Sequence, residues 1–110
     1  MSYEAFDVIV VPFPFTDQNT SKRRPALVVS TEPFHEVDHS ICCMITTKSH
    51  SPWPGDIEIK NQEEAGLDHP SIVRLKLFTL DQRLIVKTIG SLADEDRTRV
   101  SQALDKHLSL

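Results

Sequence analysis

Apolar residues occur in short runs along this chain, and turn-forming residues separate one run from the next. Valine and isoleucine suit the pleated, half-buried surface of a sheet, so each run predicts a β-strand. The predicted strands cover residues 8–11, 26–30, 40–47, 56–59, 71–78 and 84–89. Within the fifth of these, alternation predicts that Val73, Leu75 and Leu77 share one face.

After Gly90 the spacing of apolar residues changes to the helical period. The predicted apolar stripe consists of Val100, Ala103, Leu104, His107 and Leu108. Acidic residues at 94–96 fit the first turn of such a helix, where the helix dipole favours negative charge. Five or six short strands followed by one helix predict a mainly β fold, a small barrel-like sheet with a C-terminal helix packed on it.

Prolines and small polar residues mark the predicted boundaries. Pro12 and Pro14 cannot donate to a sheet ladder, so they predict the end of the first strand. Residues 16–24 have the composition of a loop, and Pro25 then begins the second strand. Residues 31–39 predict a loop or short helical turn, and residues 61–65 a helical turn capped by Gly66.

Length and charge limit the possible functions. A chain of 110 residues is predicted to form one domain over residues 1–110. Its formal net charge of −4 argues against broad, non-specific affinity for nucleic acids. A polyanionic partner would therefore have to be bound by a local cationic patch.

Residues 1–5 lack the features of a signal peptide, and no apolar run approaches the length of a membrane span. Cys42 and Cys43 are adjacent, so a strand would point them to opposite faces. They are predicted to be free thiols of a reducing compartment. A cytoplasmic protein without a membrane partner is expected.

The first candidate for chemistry is the cation run Lys22-Arg23-Arg24. An arginine fork can bind phosphate through several donors, and Pro25 stiffens the backbone beside it. On composition alone, a solvated charge run in a loop is the favoured interpretation.

The second candidate is the end of the third strand, Thr46-Thr47-Lys48, followed by His50. A threonine hydroxyl can donate to developing charge on a phosphate, although threonine is also simply common in strands. Farther along, Trp53 could stack a base with His50 and Phe78 nearby, or could cap the edge of the core.

A third candidate, His35-Glu36-Val37-Asp38-His39, fits the H-E-x-x-H pattern of zinc peptidases. That mechanism requires both histidines on one face of a stable helix and a further ligand. Pro33 and Ser40 leave room for barely two turns, so a metal-dependent hydrolase is the weakest alternative.

Several segments in order resemble one toxin family. Residues 24–30 combine Arg-Pro with an apolar strand ending in serine, and residues 45–48 form a strand ending in threonine. Further matching segments are 65–67, 71–75, 77–81 and 89–92, followed by the closing helix. Together they resemble the PemK/MazF family of bacterial growth-inhibiting toxins along nearly the whole chain.

The resemblance implies an SH3-like barrel that forms a homodimer and is restrained by a cognate antitoxin, with autoregulatory DNA binding by the toxin–antitoxin complex. It also implies cofactor-free, metal-independent cleavage of single-stranded RNA at short sequences. Arg24 and Thr46 match the catalytic pair of the family. The residues expected to contact RNA are Lys22, Arg23, Thr47, Lys48, His50 and Trp53.

Two departures from the family pattern bear on this interpretation. Phe6 occupies a position where family members usually carry glycine, and Asp17-Gln18-Asn19-Thr20 replaces a common Gly-Ser-Glu-Gln segment. The alternative function is a catalytically weak, CcdB-like barrel that inhibits a protein target such as gyrase. Such action would depend on the end of the C-terminal helix, residues 106–110.

Overall fold

Antiparallel strands are the main secondary structure of the computed structural model, which describes residues 3–13, 22–47 and 51–109. In the described residues the strands are β1 (Asp7–Phe13), β2 (Lys22–Val28), β3 (His39–Thr47), β4 (Ile57–Glu58), β5 (Ser71–Asp81) and β6 (Lys87–Ser91). The helices are α1 (Glu32–His35) and α2 (Asp94–His107), and a 3₁₀ turn at Gln82–Leu84 follows β5.

The strands form a single curled sheet in the order β4-β5-β3-β2-β1-β6. The turn at residues 61–66, between β4 and β5, reaches across to β6 at the opposite edge. There the Ser91 N–H donates to the carbonyl of Glu64 at 3.2 Å. The sheet is thus closed through a turn, which confirms the predicted mainly β, barrel-like fold with a C-terminal helix.

Two glycines permit this closure. Gly66 has a φ of +75°, which an L side chain rarely adopts, and a Cβ there would overlap the carbonyl oxygen of Ile89. A Cβ on Gly90 would lie 2.5 Å from the carbonyl oxygen of Glu64. Larger residues at either position would push the turn away from β6.

The core lies on both faces of the central strands. The first core cluster contains Val8, Leu27, Cys43, Ile45, Ile57, Ile59, Ala65, Val73, Leu92 and Val100. The second core cluster contains Ile9, Val11, Ala26, Val28, Cys42, Leu80 and Ile85. Neighbouring residues in the buried parts of β1, β2 and β3 enter different clusters, which explains why those parts are nearly continuous apolar runs.

The two cysteines follow this alternation. Cys42 and Cys43 lie in different clusters, and both are buried free thiols, as predicted. Burial raises the pKa of each thiol to about 12, because the charged thiolate would be desolvated. Neither thiol is poised for nucleophilic chemistry.

The predicted loop at 16–24 is wrong at its end, because β2 begins at Lys22. The first strand also continues past Pro12 to Phe13, with Phe13 paired to Lys22. Beyond Val10, β6 no longer accompanies β1, so the missing N–H of Pro12 leaves no ladder partner unsatisfied on that side. The structure does not describe residues 14–21, and the segment 17–20 lies among them.

The predicted last strand at 84–89 is displaced toward the C-terminus. Asp81 accepts the Arg83 N–H at 2.9 Å and begins the 3₁₀ turn, so strand pairing starts only at Lys87. Hydrogen bonds from Arg83 hold the pKa of the Asp81 carboxyl at about 2. Apolar Ile85 therefore enters the second core cluster from a turn.

Two of the three residues on the predicted common face of β5 pack against the core. A register shift opposite Cys43 and Met44 pairs Leu77 with Cys43 but Arg74 with Met44. The shift adds two residues to β5, an even number, so Val73 and Leu77 both stay opposite residues of the first core cluster. Val73 and Leu75 contact the first core cluster, whereas Leu77 is exposed.

Helix α2 packs on the first core cluster through Val100, Ala103 and Leu104. The predicted stripe is therefore correct at these three positions, whereas His107 and Leu108 are exposed. The helix is joined to the sheet by Asp96, whose carboxylate accepts the backbone N–H groups of Lys60 at 3.1 Å and Asn61 at 2.9 Å.

Candidate functional site

Arg24 and Thr46 converge because β2 and β3 are antiparallel neighbours. Their ladder pairs Val28 with Cys42 and Ala26 with Met44. The same register, continued two residues farther, sets Arg24 opposite Thr46. The sheet thus brings together two residues separated by more than twenty positions in the chain.

Both residues line one pocket of about 280 Å³. Five segments supply its walls, namely β1, β2, β3, β6 and the turn that leads into β5. The lining residues are Val10, Arg23, Arg24, Pro25, Ile45, Thr46, Thr47, Gly66, Leu67, Asp68, His69, Ser71 and Ile89. The pocket combines two arginines, hydroxyls, an imidazole and one carboxylate with apolar side chains, a composition that can accept a phosphate carrying an organic group.

The guanidinium of Arg24 is exposed and lies over the ring of Phe13, with 5.5 Å between Cζ and the ring centroid. A cation–π contact of this kind restrains the orientation of the side chain without neutralising its charge. Thr46 is half-buried and Thr47 is exposed, and Thr47 pairs with Ser71 of β5. The site therefore combines the restrained guanidinium of Arg24 with the hydroxyl of Thr46 on β3.

Lys22 and Arg23 are exposed on the same strand as Arg24. Together the three residues form the cationic end of β2, which is paired with β1 rather than carried on a loop. Arg23 lines the pocket, whereas Lys22 lies one residue outside it. A local cationic patch therefore exists despite the negative net charge of the chain.

Asp68 and His69 line the same pocket and were missed by the sequence analysis, which named neither residue as a candidate. The sequence did contain one signal for them, because two titratable residues stand immediately before a strand. The start of one antiparallel strand lies beside the end of its neighbour, so such residues can lie near the end of β3. Recognising it required the pairing of β5 with β3, which residue spacing alone does not reveal.

Trp53 does not line this pocket. Lys76 lies over its ring with Nζ 4.5 Å from the centroid, and Arg74 lies 5.8 Å away. Asp56 accepts hydrogen bonds from Arg74 at 3.0 and 3.1 Å, which raise the pKa of that guanidinium. The structure thus places Trp53 in a second, cation-rich surface on β5, and Lys48 and His50 fall outside the described residues.

The two histidines of the H-E-x-x-H pattern do not share a helix. α1 ends at His35, and His39 begins β3. His35 Nε2 lies 2.6 Å from the Ser30 hydroxyl, and His39 Nδ1 lies 2.8 Å from the carbonyl oxygen of Val37. Within residues 3–13, 22–47 and 51–109 no three His, Cys, Asp or Glu side chains cluster as metal ligands. The helical geometry of a zinc peptidase is therefore missing at these histidines.

Comparison with known families gives a match over residues 4–108 to the family described as PemK-like, MazF-like toxin of type II toxin-antitoxin system. The chain belongs to this family. It is a MazF-like toxin of a toxin–antitoxin system, in agreement with the ordered segments of its sequence. A search among curated proteins found no match.

Solved structures share the fold of this MazF-like toxin. The Mycobacterium tuberculosis toxin MazF-mt6 is 18% identical, with a TM-score of 0.72 over 91% of this chain and 93% of its own. A MazE–MazF complex from Deinococcus radiodurans is also 18% identical, with a TM-score of 0.74 over 96% and 95%. An endoribonuclease in complex with its cognate antitoxin from a mycobacterial species is 12% identical, with a TM-score of 0.75 over 96% and 93%.

These low identities establish a common fold and leave the chemistry to be argued from the residues of this chain. Among the described residues, no helix of this toxin is long and apolar enough to cross a membrane.

Proposed function

We propose that this MazF-like toxin is a metal-independent endoribonuclease that cleaves single-stranded RNA at short sequences. The observation that carries the proposal is the meeting of Arg24 and Thr46 in one pocket, since these residues match the catalytic pair of the family. Single-stranded RNA is the favoured substrate because its unstacked nucleotides can enter a pocket of this size.

The proposed reaction is attack of a ribose 2′-hydroxyl on the adjacent phosphorus. A bond forms between O2′ and phosphorus while the bond to the 5′-oxygen of the next nucleotide breaks. The products are a 2′,3′-cyclic phosphate and a free 5′-hydroxyl. Since RNA supplies its own nucleophile, the enzyme must orient the chain, move protons and stabilise charge on the phosphate.

Arg24 is assigned the stabilising role. Its restrained guanidinium can donate to the non-bridging oxygens as negative charge develops on them. Thr46 can donate a further hydrogen bond to one of these oxygens. Arginine keeps its proton throughout the physiological pH range, so Arg24 is not assigned as a general base.

The remaining predicted RNA contacts follow from position. Lys22 and Arg23 extend the positive charge along β2 from Arg24, and Thr47 adds a hydroxyl at the exposed end of β3. We expect the RNA backbone to follow this edge. Trp53 would contact RNA only if the RNA strand extends to the separate surface on β5. Contacts by Lys48 and His50 remain predictions.

A cognate antitoxin and a homodimer complete the proposal. The Deinococcus structure is a MazE–MazF complex, and the mycobacterial endoribonuclease is bound to its antitoxin. By analogy, we infer that a short antitoxin encoded beside this toxin restrains it. Light scattering of the purified chain, alone and with the neighbouring gene product, tests both assemblies.

Cleavage of a long single-stranded RNA of known sequence, in excess EDTA, tests the enzymatic proposal. Wild type should cut at a recurrent short sequence, and Arg24→Ala and Thr46→Val should each lower the rate about 10²-fold or more. Lys106→Ala, which removes an exposed cation of α2, serves as the matched control and should cut at the wild-type rate. A 2′-deoxynucleotide at a mapped site should block cleavage there.

Equal cleavage by wild type and Arg24→Ala would reject the proposed site. Growth inhibition without any RNA cleavage would instead favour the CcdB-like alternative. In that case removal of residues 106–110 should abolish toxicity, whereas Arg24→Ala should not.

A further inference from the structure

The RNA-cleaving pocket needs a group that accepts a proton, and neither member of the catalytic pair supplies one. Arg24 remains protonated in the range where the protein works. The hydroxyl of Thr46 is a donor and a weak acceptor and does not take up a proton near neutrality. Attack by the ribose 2′-hydroxyl nevertheless requires removal of its proton.

His69 is the only histidine among the described residues that lines this pocket. Imidazole is the side chain that ordinarily exchanges a proton between pH 5 and 8. Its ring is exposed and makes no hydrogen bond to another described residue. The ring is therefore available to a bound substrate.

The backbone of His69 is held next to the end of β3, the strand that carries Thr46. The hydroxyl of Ser71 donates to the carbonyl of His69 at 2.8 Å, and Ser71 is itself buried and paired with Thr47. Pro70 further restricts the backbone conformation of His69 to the extended region. Both constraints hold the backbone of His69 at the β3–β5 edge, two residues before Ser71, the partner of Thr47.

From this placement we infer that His69 is the general base of the reaction, an inference that rests on the RNA cleavage proposed above. The neutral imidazole takes the proton of the 2′-hydroxyl as the bond between O2′ and phosphorus forms. The bond between phosphorus and the 5′-oxygen breaks, and that oxygen takes a proton from water. The imidazolium then returns its proton to solvent, which restores the enzyme.

Three charged groups face His69 in the pocket. Asp68 precedes it on the same turn, and Arg23 and Arg24 approach from β2. The test therefore changes His69 itself rather than one of these charges.

The test measures RNA cleavage by wild type, His69→Ala and His69→Gln from pH 5 to 8, in EDTA and in buffers without imidazole. Wild-type kcat/KM should rise with pH over this range, because general-base catalysis requires the unprotonated form of the base. Both variants should be about 10²-fold slower near neutrality and should lack this rise. Added imidazole should restore much of the activity of His69→Ala, which a purely structural role would not allow.

His107→Ala provides the matched control, because His107 is exposed on α2 and does not line the pocket. It should keep the wild-type rate and pH profile. Arg24→Ala should be slow yet retain the rise with pH.

Two kinds of result would overturn the assignment. If His69→Ala kept the wild-type rate or pH profile, or were slow without rescue by imidazole, His69 would not be the base, although RNA cleavage would stand. Absence of cleavage by wild type would reject the proposed function together with this inference.

Discussion

At the scale of single residues, Phe6 shows how this chain accommodates a departure from its family. Its φ is +73°, a left-handed conformation that glycine adopts freely and that costs other residues about 1–2 kcal/mol. Its N–H donates to Val28 and its carbonyl accepts from Leu92, which holds the strained backbone in place. The ring packs against the first core cluster and lies 5.5 Å from Cζ of Arg97, contacts that glycine could not make.

Replacement of Asp96 should lower the free energy of unfolding by a large amount for so small a side chain. Asp96 is 1% exposed, accepts two backbone N–H groups and pairs with Arg99. Asp96→Ala leaves these donors without their acceptor, so we expect a loss of about 2–3 kcal/mol in the free energy of unfolding. Denaturant titration of the purified variant measures this change.

Two further variants make the comparison for Asp96 specific. Asp96→Asn keeps the shape and one acceptor oxygen and should lose less than Asp96→Ala. Asp105→Ala, at an exposed position of the same helix, should stay within about 0.5 kcal/mol of wild type. Equal losses for Asp96→Ala and Asp105→Ala would contradict the proposed role of the buried carboxylate.

At the scale of elements, the turn at residues 61–66 has two tasks. It closes the barrel by meeting β6, and it continues into residues 66–69, which line the pocket. A change that displaces this turn should therefore reduce both stability and activity. The position of greatest sensitivity is Gly66, because its missing side chain is what allows contact with the backbone of Ile89.

Comparison of Gly66→Ala with Gly55→Ala separates the cost of backbone strain from the cost of steric overlap in the free energy of unfolding. Both glycines have positive φ, so alanine costs each about 1–2 kcal/mol. At Gly55 the added Cβ would meet the side chain of Leu75 at 2.6 Å, and that side chain can turn away. At Gly66 it would meet backbone, so we expect a total loss of about 3 kcal/mol or more.

Thermal and denaturant unfolding of the two variants measure this difference. Gly66→Ala should also cleave RNA more slowly than Gly55→Ala under conditions in which both remain folded. Similar stability of the two variants would show that β6 can move without cost and that the turn does not close the barrel tightly.

At the scale of the whole molecule, the net charge opposes RNA binding, whereas the cationic end of β2 favours it. The net charge is −4, and the cationic end of β2 concentrates three positive side chains beside the pocket. Long-range attraction of RNA is therefore weak, and binding should depend on a small number of phosphate contacts. Specific contacts in the pocket would then contribute a large share of the affinity.

The salt dependence of RNA binding tests this distribution. Three phosphate contacts on a single strand predict a slope of about −2 for log K against log salt concentration. Lys22→Ala should weaken binding of different sequences to a similar extent and reduce the magnitude of the slope by about 0.7. Fluorescence anisotropy with 2′-O-methyl RNA, which lacks the nucleophile, measures binding without cleavage.

Lys106→Ala removes an exposed cation from α2 and should leave the slope unchanged. A slope that fell equally for Lys106→Ala and Lys22→Ala would show that RNA responds to the overall charge of the toxin rather than to the cationic end of β2.

The sequence by itself determined the strands whose apolar runs are buried on both faces, the C-terminal helix and the free cysteines. These features depend on residue type and on neighbours along the chain, so local periodicity is sufficient to predict them. The ordered segments from Arg24 to Leu92 also identified the family. Thr46 and Arg24 were named from that resemblance before their positions were known.

Only the tertiary structure decided how distant segments meet. It placed Lys22 and Arg23 on a strand, inserted two extra residues of β5 opposite β3 at a register shift, and brought His69 into the pocket of Arg24 and Thr46. It also gave Trp53 the cationic neighbours Arg74 and Lys76. Strand register and turn closure are set by contacts between residues far apart in the chain, and residue spacing carries little information about them.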